Sequence, residues 1–459
     1  MPVLDDQIAM LDRATAPELR GTVTDVRGLA IHAVALPVPV GSTVTVHTRL
    51  GGKVRAEVVG FDSGDTILLP LAPAAGVARG DAVVAEHAVA ALNVGEALLG
   101  RVINGLGEPI DGRGPVPDVV WRPLDPAPLD PLQRRLIEEP LATGVRAIDA
   151  MTPLGRGQRI GIFAAPGVGK STLLAQCAKK TAADVSVIAL IGERGREVGD
   201  FIEKTLGPEG MARSVVVVAT GDEPALVRIR AAKAATTVAE FFRDRGADVL
   251  LVVDSVTRFC QAQRQVGLAA GEPPATKGYP PSVFSMLPNL MERAGNSQAG
   301  SITGLYSVLV EGEDMAEPIA DACRGILDGH VQLDRKLAER GHYPAIDVVS
   351  SISRVANDVT DAEHRNARQT VIKLLAAYRE VEDLLNIGAY AAGSNPDFDL
   401  AIACKPALDQ LLQQGSDNEP GDFGKTRAQL MALLHRIGAA QQELSKGTRP
   451  NVGPPRPGM

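Results

Sequence analysis

Aromatic residues are scarce in this sequence, where they make up 3% of 459 residues. The core must therefore be built mainly from Val, Leu, Ile and Ala. Long apolar runs are also missing, since no stretch approaches the roughly 18 residues that a membrane span requires. Asp5 and Asp6 stand where a secretory signal peptide would carry positive charge. These features favour a globular protein of the cytoplasm.

Cysteine and positive charge are limited as well. Cys177, Cys260, Cys323 and Cys404 are far apart and form no CxxC pair, so we expect small buried residues rather than bridges or metal ligands. The net charge of −8 argues against a protein whose main work is to hold nucleic acid phosphates.

The composition and the hydrophobic periodicity of the chain change several times along its length, which predicts two or three domains. Short runs punctuated by Gly and Pro predict a small β-barrel, strand–helix alternation predicts an α/β domain, and helical periodicity predicts a closing helical domain. We place the boundaries as follows: an N-terminal arm at 1–20, the barrel at 21–94, the α/β domain at 95–360 with an extended connector at 95–135, the helical domain at 361–446, and a disordered Pro-rich tail at 447–459.

Strands in the α/β domain are apolar throughout and are separated by helical stretches. Because such strands have no polar face, they predict a mainly parallel sheet covered by helices on both sides. The predicted strands are 159–164, 185–191, 214–220, 248–254 and 301–310.

The stretch RIGIFAAPGVGKSTLL (159–174) has the pattern of a phosphate-binding loop between a buried strand and a helix. Pro166, Gly167, Val168 and Gly169 form the turn, and Lys170, Ser171 and Thr172 begin the helix. Backbone N–H groups and the positive helix end attract phosphate, while a Lys ammonium reaches the outer phosphates and a Ser hydroxyl ligates Mg²⁺. We expect the Lys170 side chain to face solvent. Ala164 replaces the usual first glycine, a mild departure.

Three charged residues extend the predicted nucleotide site. Asp254 ends an apolar strand and could hold the Mg²⁺ shell, although such an aspartate can also be a helix N-cap. Glu193 follows another buried strand and could orient or deprotonate the attacking water, with Glu197 one helical turn later as a second candidate.

Several long segments resemble one family, the flagellar and type III secretion ATPases, which are related to the catalytic β subunit of rotary ATP synthases. They include GRGQRIGIFAAPGVGKSTLL, ALIGERGREVGDFIEKTLGPEG, VLLVVDSVTRF, SITGLYSVLVEGEDMAEPIADACRGILDGH and HYPAIDVVSSISRV. The resemblance covers roughly residues 95–395. It implies a RecA-like P-loop domain between the barrel and the helical domain, and an enzyme that hydrolyses ATP with Mg²⁺.

The resemblance also implies residue roles. Lys170 and Ser171 would bind the phosphates and Mg²⁺, Glu193 would be the catalytic glutamate, and Asp254 would be the Walker B aspartate. Arg194 and Glu197 would support the water and metal network, and Arg258 would lie near the γ-phosphate. Tyr343 would stack on adenine, and Arg354 would be an arginine finger acting across a subunit interface.

The partners that the resemblance implies are those of a homohexameric export motor. They are a central stalk protein, a stator or regulator at the N-terminal arm, the export gate at the cytoplasmic face of the inner membrane, and chaperone–substrate complexes. The sequence does not distinguish a flagellar system from an injectisome, and it does not identify the substrates or the role of the tail.

Three alternatives remain at this point. A non-catalytic subunit of a rotary ATPase would lack a carboxylate at Glu193. A hexameric RNA translocase would need an aromatic and basic platform near its N-terminus, where residues 1–95 hold one aromatic, Phe61, and no basic cluster. A pure binding module would bind ATP without turnover.

Overall fold

The computed structural model of the chain describes residues 18–87, 89–310, 314–415 and 421–445. Apart from residues 18–20, the predicted N-terminal arm lies outside these ranges, and the predicted disordered tail lies wholly outside them.

Six antiparallel strands near the N-terminus close into a small barrel, which confirms the predicted barrel fold. In chain order the strands are Arg20–Arg27, Ala30–Val34, Thr43–His47, Lys53–Asp62, Asp65–Pro70 and Ala82–His87. In Lys53–Asp62, the side chains of Val54, Ala56 and Val58 are buried, whereas those between them lie nearer the surface. This two-residue alternation points one face of that strand into an interior of Val, Ile, Leu and Ala.

The last strand of the predicted barrel range lies outside the barrel. Ala91–Val94 pairs instead with Val120–Pro123 in a separate two-stranded sheet. The predicted connector likewise contains more than an extended crossing, because Val102–Asn104 pairs in parallel with Ser214–Thr220 at the edge of the central sheet. Strands of three or four residues are too short to show a periodicity, so the sequence carried no signal for either pairing.

The central sheet is mainly parallel, as predicted. Across the sheet its strands are Ile346–Ser353, Gly329–Leu333, Arg159–Ala164, Ser301–Leu309, Asp248–Asp254, Val185–Glu193, Ser214–Thr220 and Val102–Asn104, with Gly295–Asn296 paired off this path to Ser301–Leu309. Ile346–Ser353 and Gly295–Asn296 run antiparallel to their neighbours. The two strands at the first edge were not predicted, and their partly exposed residues interrupt the apolar pattern that identified the central ones.

Helices cover both faces of this sheet. In Val185–Glu193, Val187 and Ala189 contact one hydrophobic core, while Ile188 and Leu190 contact the other. Helices Ala225–Arg243, Val256–Ala269, Pro281–Met291 and Pro318–Ile326 contribute to the first core. Helices Arg146–Met151, Lys170–Lys180, Ala362–Asn386, Pro396–Leu412 and Phe423–Ser445 contribute to the second.

Short elements complete the described chain. They are the helices Gly195–Asp200, Gly207–Ala212 and Arg335–Glu339, the π-helical turn Phe201–Leu206, the 3₁₀ turns Glu96–Leu98, Pro131–Gln133 and Thr276–Gly278, and the strand pair Pro140–Leu141 and Leu154–Gly155.

The C-terminal region is helical, as predicted, but it contains a helix that the sequence analysis missed. Helical periodicity at 362–390 and 425–444 predicts two helices, and Pro396–Leu412 lies between these stretches. Pro406 inside it obscures the helical pattern because proline normally breaks a helix. Among the helices of the described ranges, none combines the length and the apolar composition of a membrane span. All four cysteines are buried and unbridged, as expected.

A buried ion pair joins the barrel to the α/β domain. The Arg230 guanidinium donates to the Glu57 carboxylate over 3.0 Å, and both side chains are at least 85% buried. Burial raises the pKa of Glu57, and the charge of Arg230 opposes that shift. A second pair, between Arg55 and Glu108 at 2.7 Å, starts from the same barrel strand but is about half exposed.

We expect Glu57→Ala to lower the free energy of unfolding by about 3–5 kcal/mol, because it leaves the Arg230 guanidinium buried without its partner. Arg55→Ala breaks the exposed pair and is the matched control, with an expected loss of about 0–1 kcal/mol. Urea denaturation followed by circular dichroism measures both. Equal losses for the two variants would show that burial adds nothing to the first pair.

Candidate functional site

The phosphate loop has the geometry that its sequence predicts. The strand Arg159–Ala164 ends at the loop, and the helix Lys170–Lys180 begins directly after it. Gly167 and Gly169 adopt φ of +84° and +91°, the left-handed region that favours glycine. Gly169 is the N-cap of the helix and supplies no side-chain cap. The N–H groups of the first turn are therefore available to an anion.

Lys170 does not face solvent, so that expectation was wrong. Its side chain is 10% exposed, and its Nζ forms an ion pair with the Asp254 carboxylate. The same Nζ also donates to the Ser307 hydroxyl over 3.1 Å. The reason is topological: the strand that carries Ser307 lies next to the phosphate-loop strand, the strand that carries Asp254 comes directly after it, and together they offer the ammonium two buried oxygens.

Asp254 is not the cap of the following helix. Ser255 is that N-cap, and its hydroxyl accepts from the Arg258 N–H over 3.3 Å. Asp254 instead pairs in register with Leu190 of the neighbouring strand and is 2% exposed. The structure therefore places its carboxylate beside the phosphate loop.

Glu193 ends the strand next to that of Asp254. Burial and the nearby Asp254 charge raise the pKa of Glu193 to about 7, although Lys170 acts in the opposite direction. Glu197 lies on the short helix that follows and also raises this pKa. Arg194 is largely exposed and contacts the Glu197 carboxylate at 3.3 Å.

Oxygen donors line a cavity on one side of the phosphate loop, which we call the carboxylate cavity. Its walls include Ser171, Glu193, Glu197 and Asp254. No group of three or more His, Cys, Asp or Glu residues in the described chain could hold a metal by itself. A hydroxyl and scattered carboxylates are the donor set of a hard cation that also uses phosphate oxygens and water, which is typical of Mg²⁺.

A second cavity, the tyrosine cavity, lies on the other side of the loop. Tyr343, Gly169 and Gln414 are among the residues that line it, and the Tyr343 ring is about half exposed. The ring faces the loop closely, since a Cβ at Gly169 would lie 3.6 Å from it. Gln414 donates its backbone N–H to the Tyr343 carbonyl over 2.8 Å. The loop therefore separates an apolar and aromatic cavity from an acidic one.

Arg354 lies away from the loop of its own chain. Its N–H donates to the Asp328 carbonyl, and the Asp328 N–H donates to the carbonyl of Arg159, the first residue of the phosphate-loop strand. The loop follows the other end of that six-residue strand, about 17 Å further on at 3.3 Å per residue. Arg354 is exposed, at the end of the sheet where the parallel strands begin.

The structure thus brings together Lys170, Ser171, Glu193, Glu197 and Asp254, and it leaves Arg354 apart. Arg258 packs its side chain against Gly192, next to Glu193. Sequence analysis missed Ser307 and Gln414. Ser307 could have been found as a hydroxyl near the end of an apolar strand, whereas no local signal marks Gln414, which follows a helix that was itself missed.

Comparison with known proteins gives matches over most of the chain. Residues 144–353 match the nucleotide-binding domain of the ATP synthase alpha/beta family, and residues 360–432 match the C-terminal domain of the type III secretion ATPase EscN. A flagellum-specific ATP synthase of Pseudomonas aeruginosa is 49% identical over 91% of this chain and 94% of its own. A type 3 secretion system ATPase of Xanthomonas euvesicatoria is 49% identical over 86% and 90%.

A solved structure agrees with the sequence matches. The assembled ATPase EscN of the enteropathogenic Escherichia coli type III secretion system superimposes with a TM-score of 0.84 at 43% identity, covering 90% of this chain and 100% of that one. Identity of this level over nearly the whole length leaves one conclusion: the chain belongs to the family of flagellum-specific ATP synthases and type 3 secretion system ATPases.

Proposed function

We propose that this protein is the ATP-hydrolysing motor of a bacterial protein-export apparatus, flagellar or injectisome, which uses ATP to release, unfold and feed export substrates. One observation carries the catalytic part of the proposal. The phosphate loop, Asp254 and Glu193 meet at the carboxyl ends of neighbouring parallel strands, where ligands bind in open α/β sheets.

Each residue then has a chemical task. The backbone N–H groups of residues 167–172, which follow Pro166, and the Lys170 ammonium hold the phosphates. Ser171, Asp254 and Glu197 are the residues that would hold Mg²⁺, which when bound neutralises charge on the phosphate oxygens. The Tyr343 ring, which faces the tyrosine cavity, stacks on adenine.

Glu193 orients the attacking water and accepts its proton. A general base works best when its pKa lies near the operating pH, and the surroundings of Glu193 raise its pKa to about 7. Arg194 and Glu197 support this arrangement, and Arg258 lies near the γ-phosphate. A carboxylate at this position favours a catalytic subunit over a non-catalytic, nucleotide-binding one.

The assembly in the proposal is a homohexamer in which Arg354 reaches the phosphate loop of a neighbouring subunit. Its position at the opposite edge of the sheet supports action across an interface. The relative EscN has been solved in assembled form and in complex with its central stalk EscO, which supports a stalk partner here. The remaining proposed partners are a stator or regulator at the N-terminal arm, the export gate at the cytoplasmic face of the inner membrane, and chaperone–substrate complexes.

Replacement of Lys170 by methionine should abolish ATP hydrolysis and also destabilise the protein. The first effect follows from the lost phosphate contact, and the second from a buried Asp254 carboxylate left without its cation. The double variant Lys170→Met/Asp254→Asn removes both charges, so it should recover stability but remain inactive. ATPase assays and thermal unfolding measure the two effects separately. Normal turnover in either variant would refute the proposed phosphate site.

Replacement of Glu193 by glutamine should lower kcat by roughly 10²-fold or more and leave nucleotide affinity near that of the parent. The kcat/KM of the parent should fall as the pH drops through about 7, because the base must be ionised. Glu193→Gln should lack this acid limb. Glu197→Gln, the control, should shift the limb to lower pH because a neighbouring negative charge is removed. If kcat/KM of Glu193→Gln still fell as the pH dropped through about 7, a residue other than Glu193 would be the base.

Arg354→Ala should bind ATP and assemble, yet lose about 10³-fold or more in rate, the typical contribution of an arginine supplied in trans. Mixing Arg354→Ala with Lys170→Ala protein tests the geometry, because some interfaces then pair an intact loop with an intact arginine. Activity should reappear in the mixture and rise with protein concentration. Full activity of demonstrably monomeric protein would rule out action across an interface.

A further inference from the structure

The Ser307 hydroxyl contacts both charged groups at the centre of the site. It donates to Asp254 Oδ1 over 2.6 Å and accepts from Lys170 Nζ over 3.1 Å. The side chain is fully buried, on the strand between those of the phosphate loop and of Asp254. Its register partner on the phosphate-loop strand is Ile162, so the position of the hydroxyl is set by two ladders of backbone hydrogen bonds.

The strands Ser301–Leu309 and Asp248–Asp254, which carry Ser307 and Asp254, make a similar contact at their other end. Ser301 donates to Asp248 Oδ1 over 2.7 Å, and these two residues are register partners. Ser301 is also buried, at 2% exposure. The two serines therefore match in burial and in donating to a carboxylate, but the Asp248 side chain is 31% exposed whereas that of Asp254 is 3% exposed, and only the contact of Ser307 includes the phosphate-loop lysine.

We propose that Ser307 is a positioning residue that makes Lys170 available to the nucleotide by keeping Asp254 hydrogen-bonded when the lysine turns away. This inference rests on the proposed ATP site and adds to it a residue that neither the motifs nor the comparisons identify.

The argument follows from the cost of separating buried charges. In the structure the Lys170 ammonium is paired with Asp254, so it must leave that carboxylate to reach the outer phosphates. A buried carboxylate that loses its cation bears a large desolvation cost. A hydroxyl that already donates to the same oxygen reduces that cost, because hydrogen bonds to charged groups are the stronger ones.

The second contact of Ser307 fits this role. The Ser307 oxygen accepts a hydrogen bond from the ammonium while its O–H donates one to Asp254, so the three groups form one connected chain. When the ammonium moves from Asp254 to a phosphate, the hydrogen bond between the Ser307 hydroxyl and the Asp254 carboxylate remains, so neither group is left without a partner. Ser307 touches neither substrate nor water in this scheme and acts only through Lys170 and Asp254.

The test compares Ser307→Ala with Ser301→Ala in the full chain. The direct readout is the affinity for a fluorescent N-methylanthraniloyl-ADP in the presence of Mg²⁺. We expect Ser307→Ala to weaken binding about tenfold, equivalent to about 1.4 kcal/mol. Ser301→Ala should bind like the parent, and Ser307→Thr, which keeps the hydroxyl, should restore most of the affinity. In hydrolysis assays KM should rise in Ser307→Ala by more than kcat falls.

Two results would overturn the role of Ser307: parental affinity in Ser307→Ala, or an equal loss in Ser301→Ala. Failure of Ser307→Thr to improve on Ser307→Ala would also count against it. If the parent binds the nucleotide but does not hydrolyse ATP, the proposed function fails, while the comparison of binding between the two serine variants still decides the role of Ser307.

Discussion

The ion pair between Lys170 and Asp254 is the contact that organises the centre of this molecule. Both groups are almost fully buried, at 10% and 3% side-chain exposure, so each depends on the other for compensation of its charge. Ser307 binds both and ties them to the strand between them. The negative charge of Asp254 also contributes to the raised pKa of Glu193, which links the phosphate loop to the proposed base.

This cluster lies where the strands are parallel and covered on both faces. Their carboxyl ends then meet at one edge, and polar residues at that edge can gather without interrupting the two apolar cores. The nearly continuous burial of Ser214–Thr220 and Asp248–Asp254 shows how completely the helices cover the sheet. The nucleotide site therefore depends on the same burial that stabilises the domain.

The C-terminal helical region takes part in this arrangement as well. Gln414 binds the Tyr343 carbonyl through its backbone, and its side chain accepts from the Arg146 N–H and donates to the Gly144 carbonyl, each over 2.8 Å. A residue that follows the helix Pro396–Leu412 is thus fastened to the segment before the phosphate loop and to the wall of the tyrosine cavity.

Much of this could be predicted from the sequence. The barrel, the mainly parallel sheet and the helical C-terminal region were all expected, because alternation, unbroken apolar runs and helical periodicity are local patterns. The phosphate loop was equally clear, since its glycines, lysine and serine are consecutive. The assigned roles of Glu193, Asp254 and Arg354 stay predictions. The strands Val102–Asn104 and Gly329–Leu333 were missed because the first has three residues and the second alternates buried and partly exposed residues, so neither forms an unbroken apolar run.

The sequence by itself determined the position of the phosphate-loop pattern and of the apolar central strands, because both depend on neighbours in the chain. Only the tertiary structure decided that Lys170 is paired with Asp254, that Ser307 lies between them, and that Arg354 stands at the far edge of the sheet. These are contacts between strands far apart in sequence. Strand order and register fix them, and no local pattern of residues encodes that order.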